Sequence, residues 1–464
     1  MHLVLVNQYY PPDEAPTGLM LEAVAAALVA AGHRVTVLCA EGGYAGKSET
    51  LESGTSPPLP SSSSDNTDHR PLTTGHSHAG LQVIRIGATR FGRGTFIGKL
   101  GDYASFYLGV AWRLLTLSPK PDRVLVLTTP PYLSVLARIL SKLRGADHAH
   151  WVMDLYPDVM VAHGMIQEGS IPQRCLAWLT RWGFGGSRSA AIVTLGPDMA
   201  ERVDRHLHGG KASEWVPLWS SEEGGAEGEG QRAEGESGAS MPHAPCPMRS
   251  SSLEAEGLEL RRERGWEDDE LILMYSGNMG LGHRFGEFLA AARELSSASA
   301  PCSLPPAPCN RSVRFVFFGG GKRQAEIEQF MAANPGAAVE LHDYVPRKQL
   351  AAHLRSADVH LASLEPSWRG TMLPSKLQGI FAAARPVIYV GSRESSTARW
   401  IGESGGGWVV EPGDSGSLVE VIGAACDPAE ARARGAAAAR FGLEHFNRDT
   451  NAAKLAGLFG RGSR

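Results

Sequence analysis

The chain has 464 residues, 43% hydrophobic and 20% charged, with 45 Lys and Arg against 49 Asp and Glu for a net charge of -4. That apolar share supports two or three packed domains of roughly 150 residues each and excludes disorder throughout. The near-neutral balance excludes an obligate nucleic-acid binder, which needs a basic excess to neutralise phosphates.

Residues 3–6 form a short apolar run with no basic stretch before it, which fits a buried strand rather than a secretory leader. The loop Tyr9-Tyr10-Pro11-Pro12 then leads to Thr17 and Gly18, at the head of an Ala/Leu-rich helix running to about Ala31. Long loops at strand ends are common places for function. A strand is predicted at 34–38, and the Ser-, Pro-, Gly- and His-rich residues 44–80 are predicted to be a flexible insertion. His69, His76 and His78 in it read as solvated side chains. Further strands are expected at 83–86, 123–127 and 191–195. Arg85, Arg90, Arg93 and Lys99 precede an aromatic stretch from Tyr103 to Trp112. That pattern suits either an interfacial helix on anionic lipid or a helix facing the core. His148-Ala149-His150-Trp151 runs toward Asp154, and a strand ending there would aim the carboxylate into a cleft. Strand alternation explains the two histidines as well as a metal pair does, and no third ligand follows. Asp158 fits a helix cap.

Residues 220–256 and 297–311 read as two more flexible insertions. Between them a strand at 271–275 meets the turn Ser276-Gly277-Asn278-Met279-Gly280-Leu281-Gly282-His283-Arg284, which opens a helix over 285–295. Glycines let a backbone approach an anion, and a helix start offers free N–H groups, although a plain strand–helix turn also explains them. A strand at 314–318 ends on Gly319-Gly320-Gly321-Lys322-Arg323, which is like a phosphate cradle but lacks the Gly-Lys-Ser/Thr ending of a P-loop. Neither turn has the glycine spacing and acidic partner of a nicotinamide site. Strands at 339–342, 359–362 and 386–390 complete the series. Before the last, Pro374 suits a helix start and Ser375 its cap, so Lys376 stands in the first turn, where a cation opposes the helix dipole. A polyanion in front of that lysine would account for it.

Six scattered cysteines without a Cys-x-x-Cys pair predict reduced thiols and a cytoplasmic setting, and no run is apolar enough to span a membrane. The alternation of strands and helices predicts an α/β fold with two doubly wound Rossmann-like domains, 1–217 and 257–430. They are joined through 218–256 and followed by a helical segment, 431–464, packing back on the first. Ligands of such sheets bind beyond the strand carboxyl ends, so two facing units would create an interdomain cleft.

These motifs together resemble the family 4 glycosyltransferases of the GT-B type, and among them the bacterial polysaccharide branch. The resemblance rests on Asn7-Gln8-Tyr9-Tyr10-Pro11-Pro12 with Thr17-Gly18, on Asp154-Leu155-Tyr156-Pro157-Asp158, and on Ser276-Gly277-Asn278-Met279-Gly280. Pro374-Ser375-Lys376-Leu377 with Ala382-Ala383-Ala384-Arg385-Pro386-Val387 completes it. It implies retaining transfer of a sugar from a nucleotide-diphosphate donor to a saccharide acceptor, lipid-linked at the inner face of the cell membrane, with no metal or other cofactor. Lys376 and the amides of Ser375–Leu377 would hold the diphosphate. Gly277, Asn278, Gly280, His283, Arg284 and Lys322 would line the donor, and Tyr344 and Val345 would flank its base. Thr17 and Gly18 would approach the donor phosphate from the other domain. Asp154 stands where relatives keep a polar residue, often His, and would orient a sugar or acceptor hydroxyl. The chain departs from the family at two places. Thr371 and Gly379 stand where many members carry two glutamates, and Asn278 and His283 where many carry an Arg and a Lys. A nucleotide-sugar epimerase of the same architecture is one alternative. A non-catalytic sugar-nucleotide-binding subunit of a polysaccharide complex is the other, motivated by the missing glutamates.

Overall fold

The computed structural model describes residues 1–13, 15–41, 77–78, 80–87, 89, 96–207, 212–220, 247–297 and 311–461. Most of the three expected insertions, with His69, His76, Arg90 and Arg93, lies outside the described residues. The chain divides into two compact units: Met1–Met153, Leu179–Ile192 and Ala452–Arg464 in one, Asp154–Trp178 and Val193–Asn451 in the other. Residues 154–178 and 193–217, which precede the acidic insertion, thus belong to the second unit.

In the first unit, β1 (His2–Val6) is buried along its whole length and lies between two parallel neighbours. These are β2 (Arg34–Ala40), reached through the helix α1 (Pro16–Ala30), and β5 (Arg123–Leu127). Runs of Val and Leu suit strands covered on both faces, where alternation with polar residues is not needed. The strand order in this unit is β3-β4-β2-β1-β5-β6-β7, with β3 (Ser77–His78), β4 (Leu81–Ile86), β6 (Asp147–Trp151) and β7 (Ser189–Thr194), while the short β8 (Glu214–Trp215) falls among the residues of the second unit. One face is covered by α2 (Phe96–Thr116) and α3 (Leu133–Arg144). Phe106, Val110 and Leu114 of α2 and Leu133, Ala137 and Leu140 of α3 pack there on Val4, Val6, Val124 and Val126. Ser77 and His78, expected in a flexible insertion, instead pair antiparallel with Gln82 and Leu81. Gly80, at φ +95, supports that reversal where an L side chain would be strained. The last helix, Arg448–Gly460, packs within this unit through Phe459, whose ring lies 6.4 Å from Trp151 and whose carbonyl accepts from buried Arg123.

The second unit holds a six-stranded parallel sheet in the order β11-β10-β9-β12-β13-β14. Its strands are β9 (Leu271–Ser276), β10 (Val313–Phe318), β11 (Val339–His342), β12 (Val359–Ser363), β13 (Val387–Val390) and β14 (Gly407–Val410). Its core is aromatic: Tyr275, Phe285, Phe315 and Phe317 are buried, with Tyr275 and Phe285 rings 4.9 Å apart in a T-shaped pair. Burying large rings in T-shaped contact adds about 0.5–1.5 kcal/mol per pair beyond area. The helices α4 (Asp158–Ala162), α5 (Ile171–Phe184) and α6 (Pro197–Asp204) precede this sheet, and α7 (Pro247–Glu263) leads into it. The start of α7 corrects the expectation of flexibility over 247–256. It is polar, yet Glu254 pairs with Arg385 at 2.5 Å, and a Cβ at Gly257 would lie 3.0 Å from Arg355, so the helix packs closely. Four of the helices between and beyond these strands are α8 (Gly286–Ser297), α9 (Gln324–Ala333), α10 (Leu350–Arg355) and α11 (Lys376–Ala382).

The cysteines also differ from expectation. Cys39 and Cys175 are free, but Cys426 is disulfide-bonded, a pairing that spacing alone does not reveal because it depends on Cα positions in space. Among the described residues no helix is long and apolar enough to cross a membrane.

Candidate functional site

The carboxyl ends of β9 and β10 are locked together by backbone. Gly277 N–H donates to Phe318 O, Gly319 N–H to His342 O and Met279 N–H to Gly320 O, each at 2.9 Å. A Cβ on Gly319 would lie 2.3 Å from Gly277 O, and one on Gly321 2.6 Å from Met279 O. Both glycines also have positive φ, +123 and +149. Gly319 and Gly321 are therefore required by this interlock whether or not an anion binds. Tyr344 lies over it, exposed, with its hydroxyl donating to Gly320 O at 2.8 Å, and Val345 packs on the cluster of Trp266, Met274 and Phe318.

Lys376, the first residue of α11, reaches into this turn. Its Nζ sits 3.3 Å from the centroid of the Tyr275 ring and 3.5 Å from Asn278 O, which also accepts from Tyr275 Oη at 2.7 Å. Gly277, at φ +127, leaves room for it: a Cβ there would be 2.9 Å from Lys376 Cε. Among the described residues no carboxylate lies within ion-pair distance of the ammonium. Dehydration by its surroundings pushes the Lys376 pKa well down, because nothing negative offsets the lost water. Ser375 lies at the helix start, but its side chain accepts no bond from the first-turn amides, so the expected cap is not formed, and Leu377 is buried in the core. Ser375 has φ -75 and ψ 3, outside the extended conformation that aims a capping oxygen inward.

The other cations nearby are mostly committed. Arg284 gives Nε to Glu287 at 2.9 Å and Nη1 to Glu365 at 2.8 Å. Arg323 is held by Glu326 at 2.6 Å and Glu365 at 3.3 Å. Buried His283 faces Ser363 O with Nδ1 at 2.8 Å, so Nδ1 carries the proton. Burial first, then the fields of Lys376 and Arg323, pushes its pKa down to about 3, leaving the ring neutral. Exposed Lys322 has no ion pair among the described residues. Asn278 and Gly280 complete the turn, the Asn278 amide lying 3.3 Å from where a Gly280 Cβ would be.

Asp154 belongs to the same compact unit as Lys376. Its loop is joined to the segment before α11, since Leu155 N–H donates to Thr371 O at 2.9 Å. Thr371 is fully buried and spends its hydroxyl on Trp368 O. Asp158 is the first residue of α4 behind Pro157 rather than its cap. Its carboxylate instead meets Arg202 at 2.7 Å and His206 at 2.9 Å, and Arg202 also donates to Arg369 O at 2.9 Å. Burial alone would raise the Asp158 pKa, but His206 and Arg202 outweigh it and hold the group low. Burial pushes Asp154 up to about 6. Arg202 lies 44 and 167 residues from these partners, and nothing in its local sequence marks it.

In the first unit, Thr17 and Gly18 bind their own loop. Asn7 Nδ2 donates to Tyr9 O at 2.7 Å and to Thr17 Oγ1 at 3.4 Å, and a Cβ on Gly18 would lie 3.1 Å from the Tyr9 carbonyl carbon. His148 and His150 are buried in β6 with Nδ1 and Nε2 2.8 Å apart. No group of three or more His, Cys, Asp or Glu among the described residues is arranged to hold a metal ion.

Two solved structures share this architecture over nearly all of both chains. WaaG, a glycosyltransferase involved in lipopolysaccharide biosynthesis, superposes with a TM-score of 0.60 at 15% identity and covers all of each chain. Anabaena HepE in complex with UDP has a TM-score of 0.60 at 11% identity, covering 99% of this chain and 100% of that one. Two parallel Rossmann-like sheets with these neighbours define the GT-B fold. Residues 17–219 match the family model for a glycosyl transferase 4-like domain, and residues 272–427 that for glycosyl transferases group 1. The probable glycosyltransferase WbjE of Pseudomonas aeruginosa is 21% identical over 315 residues, 68% of each chain. The chain belongs to the family 4-like GT-B glycosyltransferases and is a glycosyltransferase enzyme.

Proposed function

We propose that the protein transfers a sugar, with retention at the anomeric carbon, from a nucleoside-diphosphate sugar to a saccharide acceptor, lipid-linked, in cell-surface polysaccharide or lipopolysaccharide biosynthesis. The observation that carries this reading is the Lys376 ammonium, held over Tyr275 at the Gly277–Asn278 turn without a carboxylate partner among the described residues. Cleavage at the anomeric carbon loads negative charge onto the departing diphosphate, and a preorganised donor aimed there stabilises it. Many relatives carry an Arg and a Lys in this turn. Here His283 is neutral and Asn278 uncharged, and the positive charge arrives from α11 instead. The reading gives Lys376, the Ser375–Leu377 amides and Lys322 the diphosphate, so it requires no metal. Tyr344 and Val345 flank the base, and Asp154 orients a hydroxyl. The names of WbjE and WaaG support the polysaccharide or lipopolysaccharide setting, and the UDP held by HepE supports the donor class.

The test is a panel of nucleotide sugars screened by thermal shift, followed by product analysis with an acceptor. A donor at a hundred times its Kd stabilises the native state by about 2.7 kcal/mol. One nucleotide class is expected to stabilise, and the anomeric coupling constant of the product is expected to match the donor. A mass-neutral conversion of the free donor would instead identify an epimerase, and stabilisation with neither transfer nor hydrolysis a binding subunit. Gly277→Ala is expected to weaken nucleoside-diphosphate binding by about tenfold or more, because a positive-φ strain of about 1–3 kcal/mol and the displaced Lys376 both act on the turn. Calorimetric titration with UDP and GDP reads this directly.

A further inference from the structure

Ser276, the last residue of β9, stands one position before Gly277, the glycine that Lys376 packs against. Its hydroxyl lies 3.1 Å from Nε2 of His353 on α10, and His353 Nδ1 lies 3.0 Å from Nη2 of Arg264, just beyond α7. All three residues belong to the second unit, and separations of 77 and 89 residues keep the arrangement out of any local motif.

The direction of these hydrogen bonds is fixed by chemistry. A guanidinium only donates, so His353 Nδ1 accepts and the ring proton sits on Nε2. Nε2 therefore donates to Ser276 Oγ, and the proton of the serine must go to another acceptor. Among the described residues none takes it. His353 is fully buried, its ring edge-on to Phe318 at 4.5 Å, and burial first, then the charge of Arg264, pushes its pKa down to about 3. The ring is thus neutral at physiological pH, and the direction does not reverse. Arg264 is itself held, with Nη1 donating to Ser356 Oγ at 2.8 Å and the guanidinium 4.8 Å over the Phe318 ring and 5.0 Å over Trp266.

An apolar residue at position 353 would serve packing against Phe318 alone. A histidine engaged at both nitrogens instead sets the orientation of a half-buried hydroxyl at the carboxyl end of a parallel strand, where ligands of such sheets bind. We propose that the Ser276 hydroxyl donates a hydrogen bond to an acceptor oxygen of the bound nucleoside diphosphate, and that His353 and Arg264 are positioning residues that turn its proton toward that oxygen. A donor oriented beforehand has no competing acceptor to leave on binding. The inference rests on the donor reading above and adds to it a contact that does not depend on the charge of Lys376.

Calorimetric titration of the full chain with UDP and GDP tests it. For the nucleotide that wild type binds, Ser276→Ala is expected to weaken binding by about fivefold or more. His353→Leu should show the same loss. His353→Gln, whose amide can accept from Arg264 and donate to Ser276, should stay within about twofold of wild type. In the Ser276→Ala/His353→Leu protein the loss should be no larger than in Ser276→Ala alone, because the histidine acts through the hydroxyl. A histidine that only supported the fold would add its own loss and overturn the positioning role. The fitted stoichiometry counts folded sites, so affinities are compared among competent molecules. Inorganic pyrophosphate locates the oxygen: Ser276→Ala weakens its binding equally where a phosphate is the acceptor, and leaves it unchanged where the base or ribose is. Nucleotide affinity equal to wild type in Ser276→Ala, with Lys376→Met weakened, would overturn the inference and leave the donor reading standing. Wild-type affinity in both variants would end the two together.

Discussion

Lys376→Met is expected to lower sugar transfer by about 100–1000-fold while leaving the thermal midpoint of the ligand-free protein equal or higher. The two effects share one cause. The ammonium sits 3.3 Å over the Tyr275 ring and 3.5 Å from Asn278 O, with no carboxylate within ion-pair distance among the described residues, so no opposite charge offsets its dehydration. A methionine keeps the contact with the ring and removes the half-buried charge. The sign of the pH dependence follows. The folded pKa of Lys376 lies well below the ordinary 10.5, so between those two values the unfolded chain holds more protons than the folded one. The contribution of this group to stability therefore rises with pH across that window. A bound diphosphate supplies the missing negative charge and raises the pKa again, so donor binding takes up a proton there. Calorimetric titration of a nucleoside diphosphate in buffers of different ionisation heat measures that uptake, and Lys376→Met should show none. Wild-type turnover in the purified variant would end the assignment of Lys376 to the leaving group.

Most strands of both sheets were legible because doubly buried strands must be nearly continuous apolar runs. The run at 123–127 coincides with β5, and that at 386–390 with β13 to within one residue. The strand β14 was not foreseen: its four residues follow Gly405 and Gly406, and nothing local separates them from a turn. The α7 start was missed for the opposite reason, since its polar composition conceals a contact with Arg355 and Arg385 about a hundred residues away. The place of Lys376 in the first turn of α11 was legible from Pro374 and Ser375 before it, and a lysine there opposes the helix dipole. The function of the glycines was only half legible. Gly277 makes room for Lys376, whereas Gly319 and Gly321 make room for the backbone of Gly277 and Met279, and local sequence does not distinguish the two uses. Tyr275 reads as one more buried strand residue until α11 is placed beside it. Arg284 and His283 read as anion ligands until Glu287, Glu365 and Ser363 are seen to occupy them.

Asp154→Asn should separate stability from activity in the opposite sense to a usual core substitution. Burial raises the Asp154 carboxyl from 3.8 to about 6, so the folded protein holds more protons than the unfolded chain between those values. Its contribution therefore falls as pH rises through that window, and above it the ionised group costs about 3 kcal/mol at 1.36 kcal/mol per pKa unit. The isosteric amide carries no such charge. Near pH 7.5 the variant is expected to be more stable than wild type by up to about 3 kcal/mol, and near pH 3.5 the two should converge. Denaturant titrations at both pH values measure this. Transfer is expected to move the other way. A carboxylate that accepts a hydrogen bond from a sugar or acceptor hydroxyl loses that capacity on amidation, at a cost of about 100-fold or more in turnover. Wild-type transfer should rise through pH 6 as the group ionises, and the variant should lack that limb. The Leu155–Thr371 hydrogen bond joins the Asp154 loop to the segment that ends in Lys376, within one compact unit. An Asp154→Asn protein that is both fully active and no more stable than wild type would show that this carboxylate neither bears a cost nor serves the reaction.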